Sequence, residues 1–473
     1  MRIGMIVEGS YPYVSGGVSS WVHTIIRQMP QYEFEIIAIN PSPYTEEDMQ
    51  YRLPPNVTGI HNLTLNEASE RRMKKKVVLE DREIRSLEKW LMFEEVDTDA
   101  LFVMGDVIPS SERYFASRIF YETVKKSYEL EPNKGSFIDF LWMWRGMFEP
   151  VFRLLQQDLP KVDLVHSAST GYAGLLGAYM AKSQDIPFYV TEHGIYSRER
   201  EEEILKASWI PSFYKKHWIQ FFHHLSRQAY KEADQILTLF EKNQHHQLEI
   251  GAAHEKTAII PNGVDYERLS TLPEHKEERP FRIGAIIRVV PIKDVKTMIT
   301  AAKILEQRGR VFEWILMGPL DEDEDYVNKC RLLIRQNDLE DMVKLVGKVD
   351  IKEYLPTFDI GVLTSISEGQ PLAVLEGMSA GLPYVVTDVG ACYELIHGRE
   401  DDPFGPSGFV VPPVHPDLVA DRIEWLMDYP VERKHFGENG RKRVAAFYQH
   451  HHMIDQYEEL YRIGRSAYGR HRV

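Results

Sequence analysis

Two glutamates in the C-terminal half of the chain, Glu368 and Glu376, stand on either side of a predicted helix start. Pro371 suits the first turn of that helix, which would follow directly after a buried strand. Free backbone N–H groups at such a start bind phosphate, so we predict phosphate binding along four residues: Gly369, Gln370, Pro371 and Leu372. The two carboxylates would then hold separate parts of one ligand. The alternative is that Glu368 only caps the helix and Glu376 only faces solvent.

Two cations, Arg288 and Lys293, follow another predicted strand and match the charge of a diphosphate. Arginine holds phosphate oxygens through paired N–H groups, whereas lysine acts as a point charge. Because lysines and arginines are common on protein surfaces, the pair indicates a phosphate site only in combination with the predicted helix start at Pro371. Combined, these groups predict a site for a phosphorylated ligand.

Three further candidates lie in the N-terminal half of the chain. Gly16 and Gly17 precede a predicted helix and would let a ligand approach the backbone closely. Their pattern is neither that of dinucleotide enzymes nor that of phosphate-loop NTPases, which argues against a dehydrogenase or a kinase. His193 stands at the end of a predicted strand and is placed to contact a ligand, although a lone histidine is more often structural.

The composition of the 473 residues is that of a folded globular protein, with 43% hydrophobic and 27% charged residues. A formal net charge of -15 makes the surface repel polyanions, so we expect no nucleic-acid partner. The cysteines, Cys330 and Cys392, cannot form a disulfide framework, which fits a reducing compartment. No apolar run is long enough to span a membrane, and no signal peptide is apparent. We therefore expect a cytoplasmic protein.

Short apolar runs alternate with amphipathic helical patterns along most of the chain, which predicts an α/β fold with parallel sheets. In the C-terminal half the predicted strands are 281–288, 312–318, 343–347, 360–365, 384–388 and 408–411. In the N-terminal half they are 2–7, 34–40, 164–167, 188–192, 235–240 and 258–260. A charged run that contains two prolines, 269–280, separates the two sets and predicts a connection between two domains.

Residues 66–158 interrupt the first α/β pattern and predict a helical insertion. Within it, the apolar residues of the segment 137–155 recur at the spacing of one helix face. We expect this face to pack on the core of its own domain rather than on a membrane or a partner protein, because such stripes are usually core. Pro150 should kink or split the helix.

Taken together, these segments resemble the retaining glycosyltransferases of family four, which have the GT-B fold. The resemblance runs over nearly the whole chain and follows the order of the family's motifs: a glycine loop, a cleft histidine, a hinge, two phosphate-binding cations and two glutamates. The corresponding residues are Gly16, Gly17, His193, 261–265, Arg288, Lys293, Glu368 and Glu376. The segments 8–13 and 191–196, with the helical insertion, narrow the resemblance to members that build an extracellular polysaccharide.

The resemblance implies two Rossmann-like domains, 1–268 and 269–444, that face a central cleft, and a last segment, 445–473, that crosses back to the first domain. It implies a UDP-sugar donor on the C-terminal domain and a saccharide acceptor on the N-terminal one, with no metal ion and no other cofactor. Export of the product would require membrane-embedded synthase or export proteins. The chain would then act in the cytoplasm, at the inner face of the cell membrane through these partners.

The resemblance also implies a role for each site residue. Glu376 would bind the ribose, the two cations would neutralise the leaving diphosphate, and residues 369–372 would support it through their backbone. Glu368 and His193 would contact the donor sugar. The two glutamates are therefore not the acid and nucleophile of a glycoside hydrolase. Retention of the anomeric configuration is expected, through attack on the face from which UDP leaves.

Three functions from different classes remain open on the sequence. The first is an active glycosyltransferase that builds a polysaccharide from a UDP-hexose or a UDP-N-acetylhexosamine. The second is an epimerase of the same fold, which would need acid and base groups that the sequence does not reveal. The third is a UDP-sugar-binding scaffold subunit of a membrane synthase. A scaffold has no need of Arg288, Lys293 and both glutamates together, which favours the enzyme.

Overall fold

A computed structural model describes residues 1–65, 77–131, 135–273 and 279–469 of the chain. These residues divide into two compact units. The first unit consists of Met1–Thr238, Asn243–Ile259 and Tyr457–Val473. The second unit consists of Leu239–Lys242 and Ile260–Gln456. Apart from the short segment Leu239–Lys242, the second unit begins at Ile260, upstream of the charged run 269–280. Residues 274–278 of that run lie outside the described ranges.

The first unit is built on a parallel sheet of seven strands. The strands are β1 (Arg2–Glu8), β2 (Glu33–Asn40), β3 (Val57–Thr64), β4 (Leu164–Ser167), β5 (Phe188–Glu192), β6 (Gln235–Thr238) and β7 (Thr257–Ile259). Their order across the sheet is β3-β2-β1-β4-β5-β6-β7. The central strand β1 is buried from Ile3 to Val7, as expected when helices cover both faces of a parallel sheet.

Helices connect these strands. They are α1 (Gly17–Gln28), α2 (Asp81–Leu91), α3 (Thr98–Phe102), α4 (Ser111–Phe115), α5 (Arg118–Leu130), α6 (Phe137–Leu155), α7 (Gly171–Gln184), α8 (Tyr196–Lys206), α9 (Ser212–Glu232) and α10 (Glu241–Ile250). Between β3 and β4 the described residues form helices α2 to α6 and a π-helical turn, Val103–Val107, but no strand. The insertion predicted at 66–158 is therefore helical where it is described, while its residues 66–76 and 132–134 lie outside the described ranges.

Helix α6 packs on the core of the first unit, as its apolar stripe predicted. Phe140, Trp144, Phe148 and Phe152 are buried in that core. Of the two expectations for Pro150, a split of the helix is wrong, because α6 continues through it, and a kink stays a prediction. A proline in a helix interior costs about 3 kcal/mol, and fully burying one large apolar side chain contributes about 1.5 to 3 kcal/mol. Several buried aromatic residues on one face outweigh that cost.

The second unit is built on a parallel sheet of six strands. The strands are β8 (Phe281–Ile286), β9 (Phe312–Met317), β10 (Val343–Gly347), β11 (Ile360–Leu363), β12 (Tyr384–Thr387) and β13 (Gly408–Val411). Their order is β10-β9-β8-β11-β12-β13, so the direction of strand addition reverses between β8 and β11. In open parallel sheets, ligands bind beside the carboxyl ends of the strands at such a reversal.

Helices also cover the second sheet. They are α11 (Tyr266–Ser270), α12 (Val295–Gln307), α13 (Glu324–Gln336), α14 (Ile351–Tyr354), α15 (Leu372–Ser379), α16 (Cys392–His397), α17 (Pro416–Asp428), α18 (Pro430–Phe447) and α19 (His450–Gly469). Helix α19 begins in the second unit and, from Tyr457 on, belongs to the first. No helix in the described part of the chain is long and apolar enough to cross a membrane.

The sequence pattern predicted twelve of these strands but missed β3. The sequence of β3, Val-Thr-Gly-Ile-His-Asn-Leu-Thr, has few apolar residues, and only its last two residues are buried. It lies at the edge of the sheet, where a strand is only partly covered and its sequence needs no regular pattern of apolar residues. The predicted strands 281–288 and 360–365 end earlier than expected, at Ile286 and Leu363, because the following residues form the loops of the candidate site.

Candidate functional site

Most of the predicted residues of the second unit lie on two neighbouring loops at the carboxyl ends of β8 and β11, whereas Leu372 and Glu376 lie in the following helix α15. The loop after β8 is 287–294 and the loop after β11 is 364–371. The backbone N–H of Ile366 donates to the carbonyl of Ile292 at 2.8 Å, and the hydroxyl of Thr364 donates to the carbonyl of Asp294 at 3.0 Å. The two loops are therefore joined at the reversal of strand order.

Lys293 and Glu368 meet on these loops. The Lys293 Nζ lies 2.5 Å from the Glu368 Oε1, and the Ser365 hydroxyl donates to the same oxygen at 2.5 Å. The side chains of Lys293 and Glu368 are 16% and 9% exposed. Glu368 does not cap the following helix, since the N-cap residue is Pro371 and no side chain caps it. The structure thus contradicts the alternative role of Glu368 as a helix cap, and it places Pro371 one residue before the first turn.

The segment that was predicted to support phosphate is held by neighbouring backbone. The N–H of Ala391 donates to the carbonyl of Gly369 at 2.9 Å. Gly390 has a φ of +53°, and a Cβ there would lie 2.2 Å from that same carbonyl oxygen, so only glycine fits. The backbone N–H of Asn262 donates to the Gln370 Oε1 at 2.7 Å. Sequence reasoning missed Gly390, Ala391 and Asn262 as supporting residues, although a glycine just after a predicted strand was a signal.

Glu376 lies in α15, one turn beyond Leu372, and differs from Glu368 in having no partner. Its side chain makes no hydrogen bond or ion pair among the described residues, and the residue is partly buried. Burial raises the pKa of Glu376 to about 7. Its carboxyl group is thus free to accept hydrogen bonds from a ligand, but the charged form is costly near neutral pH.

Arg288 does not pair with the carboxylate that contacts Lys293, but with a different one. Its Nη1 lies 2.8 Å from the Oε2 of Glu322, which follows β9, and the two side chains are 49% and 39% exposed. The prediction that Arg288 and Lys293 would act together on one diphosphate stays a prediction. In the ligand-free chain each of these cations has a carboxylate partner.

In the first unit, Gly16 and Gly17 stand at the start of α1. Both are exposed, and a Cβ at either position would meet no atom within 4 Å. Gly16 has an extended backbone, so the backbone conformation itself does not require glycine there. The open space beside them leaves room for a ligand, and their predicted role in binding stays a prediction.

His193 follows β5 and is neutral near pH 7. Burial lowers its pKa to about 4. Its ring packs edge-on against Trp21 of α1, with centroids 4.7 Å apart. The Nε2 atom is buried and has no hydrogen-bond partner among the described residues. A neutral imidazole with one unpaired nitrogen can donate to or accept from a ligand, which agrees with the sequence prediction but does not test it.

The end of β5 is fixed by Glu192, a residue that sequence reasoning did not single out. Glu192 accepts hydrogen bonds from the Thr170 hydroxyl at 2.9 Å and the Gln247 amide at 3.1 Å, and also from the Tyr230 hydroxyl. Burial raises the pKa of Glu192, and the hydrogen bonds from these neutral donors lower it by less. A carboxylate at the end of an otherwise apolar strand was the signal. This network sets the backbone from which His193 projects.

The described residues contain no group of three or more histidine, cysteine, aspartate or glutamate side chains arranged to hold a metal ion. The expectation that the reaction needs no metal stays a prediction.

Two family profiles match the chain. Residues 1–255, more than half of the chain, match the family described as "Domain of unknown function (DUF3492)". Residues 272–443 match the family described as "Glycosyl transferases group 1". The second match contains Arg288, Lys293, Glu368 and Glu376.

Several curated proteins are similar in sequence to parts of this chain. The amylovoran biosynthesis glycosyltransferase AmsK of Erwinia amylovora is 27% identical over 44% of this chain and 54% of its own length. A UDP-Gal:alpha-D-GlcNAc-diphosphoundecaprenol alpha-1,3-galactosyltransferase of Escherichia coli is 24% identical over 66% of this chain and 77% of its own length. The chain spans about half the length of the first of these, and 48% of a putative colanic acid biosynthesis glycosyltransferase, WcaL of Escherichia coli.

Solved structures share the whole architecture. Anabaena HepE, crystallised in complex with UDP, aligns over 97% of this chain and 99% of its own, with a TM-score of 0.61 and 16% identity. Sucrose-phosphate synthase of Thermosynechococcus elongatus aligns over 98% and 99%, with a TM-score of 0.62 and 15% identity. At this identity the likeness shows the fold: two Rossmann-like units with parallel sheets, the GT-B type.

Proposed function

Because the chain belongs to the DUF3492 family and its residues 272–443 match glycosyl transferases group 1, we propose that it is a glycosyltransferase. It transfers a hexose or an N-acetylhexosamine from a UDP-sugar to a growing exopolysaccharide, and it retains the anomeric configuration. The observation that carries the proposal is the buried contact of Lys293 with Glu368 at the strand-order reversal, inside the matched region. A relative whose name specifies a UDP-galactose donor and a fold neighbour crystallised with UDP support UDP as the nucleotide.

The proposed mechanism places the charges of the donor on the second unit. As the bond from the anomeric carbon to the phosphate oxygen breaks, negative charge grows on the diphosphate. Lys293, Arg288 and the backbone N–H groups of Gly369, Gln370 and Leu372 stabilise that charge, which lowers the barrier. Pro371 has no N–H and only shapes this segment. Glu376 accepts hydrogen bonds from the ribose hydroxyls. No metal ion takes part in this proposal.

The transferred sugar is contacted by Glu368, whose Oε1 already accepts from Lys293 and Ser365. The acceptor hydroxyl attacks the anomeric carbon on the face that UDP leaves, and its proton passes to the departing phosphate oxygen. We keep His193 as a proposed contact of the donor sugar, and Gly16 and Gly17 as proposed ligand contacts, in the first unit.

We further propose the narrower assignment to PelF, the glycosyltransferase of Pel exopolysaccharide synthesis. It rests on the resemblance of the segments 8–13 and 191–196 and of the helical insertion. In that assignment the chain works in the cytoplasm with membrane-embedded synthase or export proteins as partners.

A panel of UDP-sugars tests the function. One donor should raise the melting temperature of the chain and release UDP slowly even without acceptor, because binding only to the folded state stabilises it. Lys293→Ala should reduce UDP release by about 100- to 1,000-fold, as for loss of a donor to developing charge. The matched control is Lys344→Ala, an exposed lysine of the same unit, which should change neither measurement.

The proposal fails if no UDP-sugar stabilises the chain. Stabilisation without UDP release, with or without acceptor, would instead indicate the scaffold. Conversion of the bound sugar to its epimer without release would indicate the isomerase. A Lys293→Ala chain that releases UDP at the wild-type rate would remove Lys293 from the mechanism. The configuration at the anomeric carbon of the product, read by NMR, decides between retention and inversion.

A further inference from the structure

An unbroken acidic run lies at the carboxyl end of β9, next to the predicted phosphate site. Its members are Asp321, Glu322, Asp323, Glu324 and Asp325. Three of them are explained by helix α13, because Asp323 caps it by accepting from the N–H of Tyr326 at 2.8 Å, and the next two residues lie in its first turn. Acidic residues are favourable at a helix N-terminus. Glu322 is outside the helix and needs another explanation.

Glu322 contacts Arg288, and the backbone fixes the two loops that carry them. The N–H of Ile287 donates to the carbonyl of Met317 at 2.8 Å. The N–H of Val289 donates to the carbonyl of Pro319 at 3.2 Å. Gly318 has a φ of +149°, and a Cβ there would lie 1.8 Å from the Ile287 carbonyl oxygen. The loops after β8 and β9 therefore approach as closely as backbone allows, which keeps Glu322 within reach of Arg288.

The Arg288–Glu322 pair is half exposed, so it is weak on its own. A diphosphate carries more negative charge than one carboxylate and can displace Glu322 from the guanidinium. The remaining acidic run would still repel that diphosphate at short range. Lys293 has the same arrangement, since Glu368 occupies it in the ligand-free chain. Each of the two predicted phosphate-binding cations thus has a carboxylate that can pair with it again when the diphosphate leaves.

We propose that Glu322 is a positioning residue that competes with the diphosphate for Arg288 and so speeds the release of UDP after transfer. This inference rests on the proposed function, because it takes UDP as the leaving group. Before the donor binds, Glu322 pairs with the Arg288 guanidinium at the carboxyl edge of the sheet. The diphosphate then displaces Glu322, which pairs with Arg288 again as UDP departs. The acidic run favours that return.

The test compares the wild-type chain with Glu322→Gln, which removes the charge and keeps the size. Calorimetry with UDP should give a dissociation constant about two- to fivefold lower in the variant, the range expected for one exposed ion pair. Displacement of a bound fluorescent UDP analogue should be slower by a similar factor. Both differences should shrink as salt is raised, because screening weakens the competing carboxylate. Damage to the fold would weaken UDP binding, not tighten it.

Asp421→Asn is the matched control. Asp421 pairs with Arg308 at 2.8 Å in the same unit with similar exposure, but away from the β8 and β9 loops. It should bind and release UDP as the wild type does. UDP binding that is unchanged or weaker in Glu322→Gln, or equally tightened in Asp421→Asn, overturns the inference and leaves the proposed function standing. A wild-type chain that does not bind UDP overturns both.

Discussion

At the scale of single residues, the sequence pointed to candidate side chains but could not predict which groups they contact in the folded chain. Glu368 and Lys293 lie far apart in sequence, so their contact depends on loops that only the folded sheet brings together. The partner of Arg288 was missed because Glu322 belongs to an acidic run that is typical of a helix start. The position of Gly390 after a predicted strand was a signal, but its role, to leave room for the Gly369 carbonyl, depends on a contact that the sequence does not show.

Glu376 gives a pH-dependent prediction. Its pKa is about 7 in the folded chain and is ordinarily 4.5, so between these values the folded chain holds a proton that the unfolded chain releases. Its stability contribution therefore falls as pH rises through this range. Glu376→Gln should be more stable than the wild type by about 1 to 3 kcal/mol near pH 8, and the difference should vanish near pH 4, in denaturant titrations.

The same variant should bind UDP about 10- to 100-fold more weakly, because it loses hydrogen bonds to a charged group. Calorimetry above about pH 8, where the wild-type carboxyl is ionised, measures this loss. A chain that gains stability and loses UDP affinity would mark Glu376 as a binding residue that costs stability. An unaltered dissociation constant would contradict the ribose assignment, and a loss of stability near pH 8 would contradict the pKa argument.

At the scale of elements, periodicity predicted the central strands and the buried face of α6, because burial on both sides leaves a strong apolar signal. It missed β3, and the expected split at Pro150 did not occur; the two reasons are opposite. The edge strand β3 needs little apolar surface, whereas α6 buries enough of it to tolerate a proline inside. Apolar periodicity and the proline rule predict an element correctly where tertiary packing agrees with them. They fail where packing outweighs them, as in α6, or is absent, as at the edge strand β3.

Helix α6 offers a matched pair of tryptophans. Trp144 is 1% exposed in the core of the first unit, and Trp142 on the same helix is 59% exposed. Trp144→Ala should lower the free energy of unfolding by about 3 to 5 kcal/mol, because it leaves a large cavity. Trp142→Ala should change it by less than about 0.5 kcal/mol, as is usual at the surface. Equal losses, measured by denaturant titration, would mean that α6 does not pack as described.

At the scale of the whole molecule, the chain order does not follow the units. The family resemblance, and not the apolar pattern, led us to expect that the last segment returns to the first domain. Tyr457 and Tyr461 of α19 are fully buried in the first unit. The Tyr461 hydroxyl is hydrogen-bonded to the Nδ1 of His166 in β4 at 2.7 Å, and the other ring nitrogen pairs with the Thr191 hydroxyl at 2.8 Å. These contacts depend on polar atoms inside an aromatic core, which periodicity does not report.

Tyr461→Phe tests this attachment. Removing the hydroxyl leaves the buried Nδ1 of His166 unpaired, which should destabilise the first unit by about 1 to 3 kcal/mol. Ile463→Ala on the same helix alters an exposed residue and should have little effect. Hydrogen exchange of β4 and β5 amides reports the stability of this unit directly. Faster exchange in both variants alike, or in neither, would contradict the role of the His166 contact.

The attachment of α19 also bears on the order of folding during synthesis. When a ribosome has delivered the seven strands of the first sheet, the aromatic residues that complete its core are still untranslated. The second unit, almost continuous in sequence, can fold as soon as it emerges, whereas the first must wait until α19 has been translated. The first unit is therefore synthesised before the second but completes its folding after it. Until then it exposes an incomplete apolar surface to chaperones and proteases.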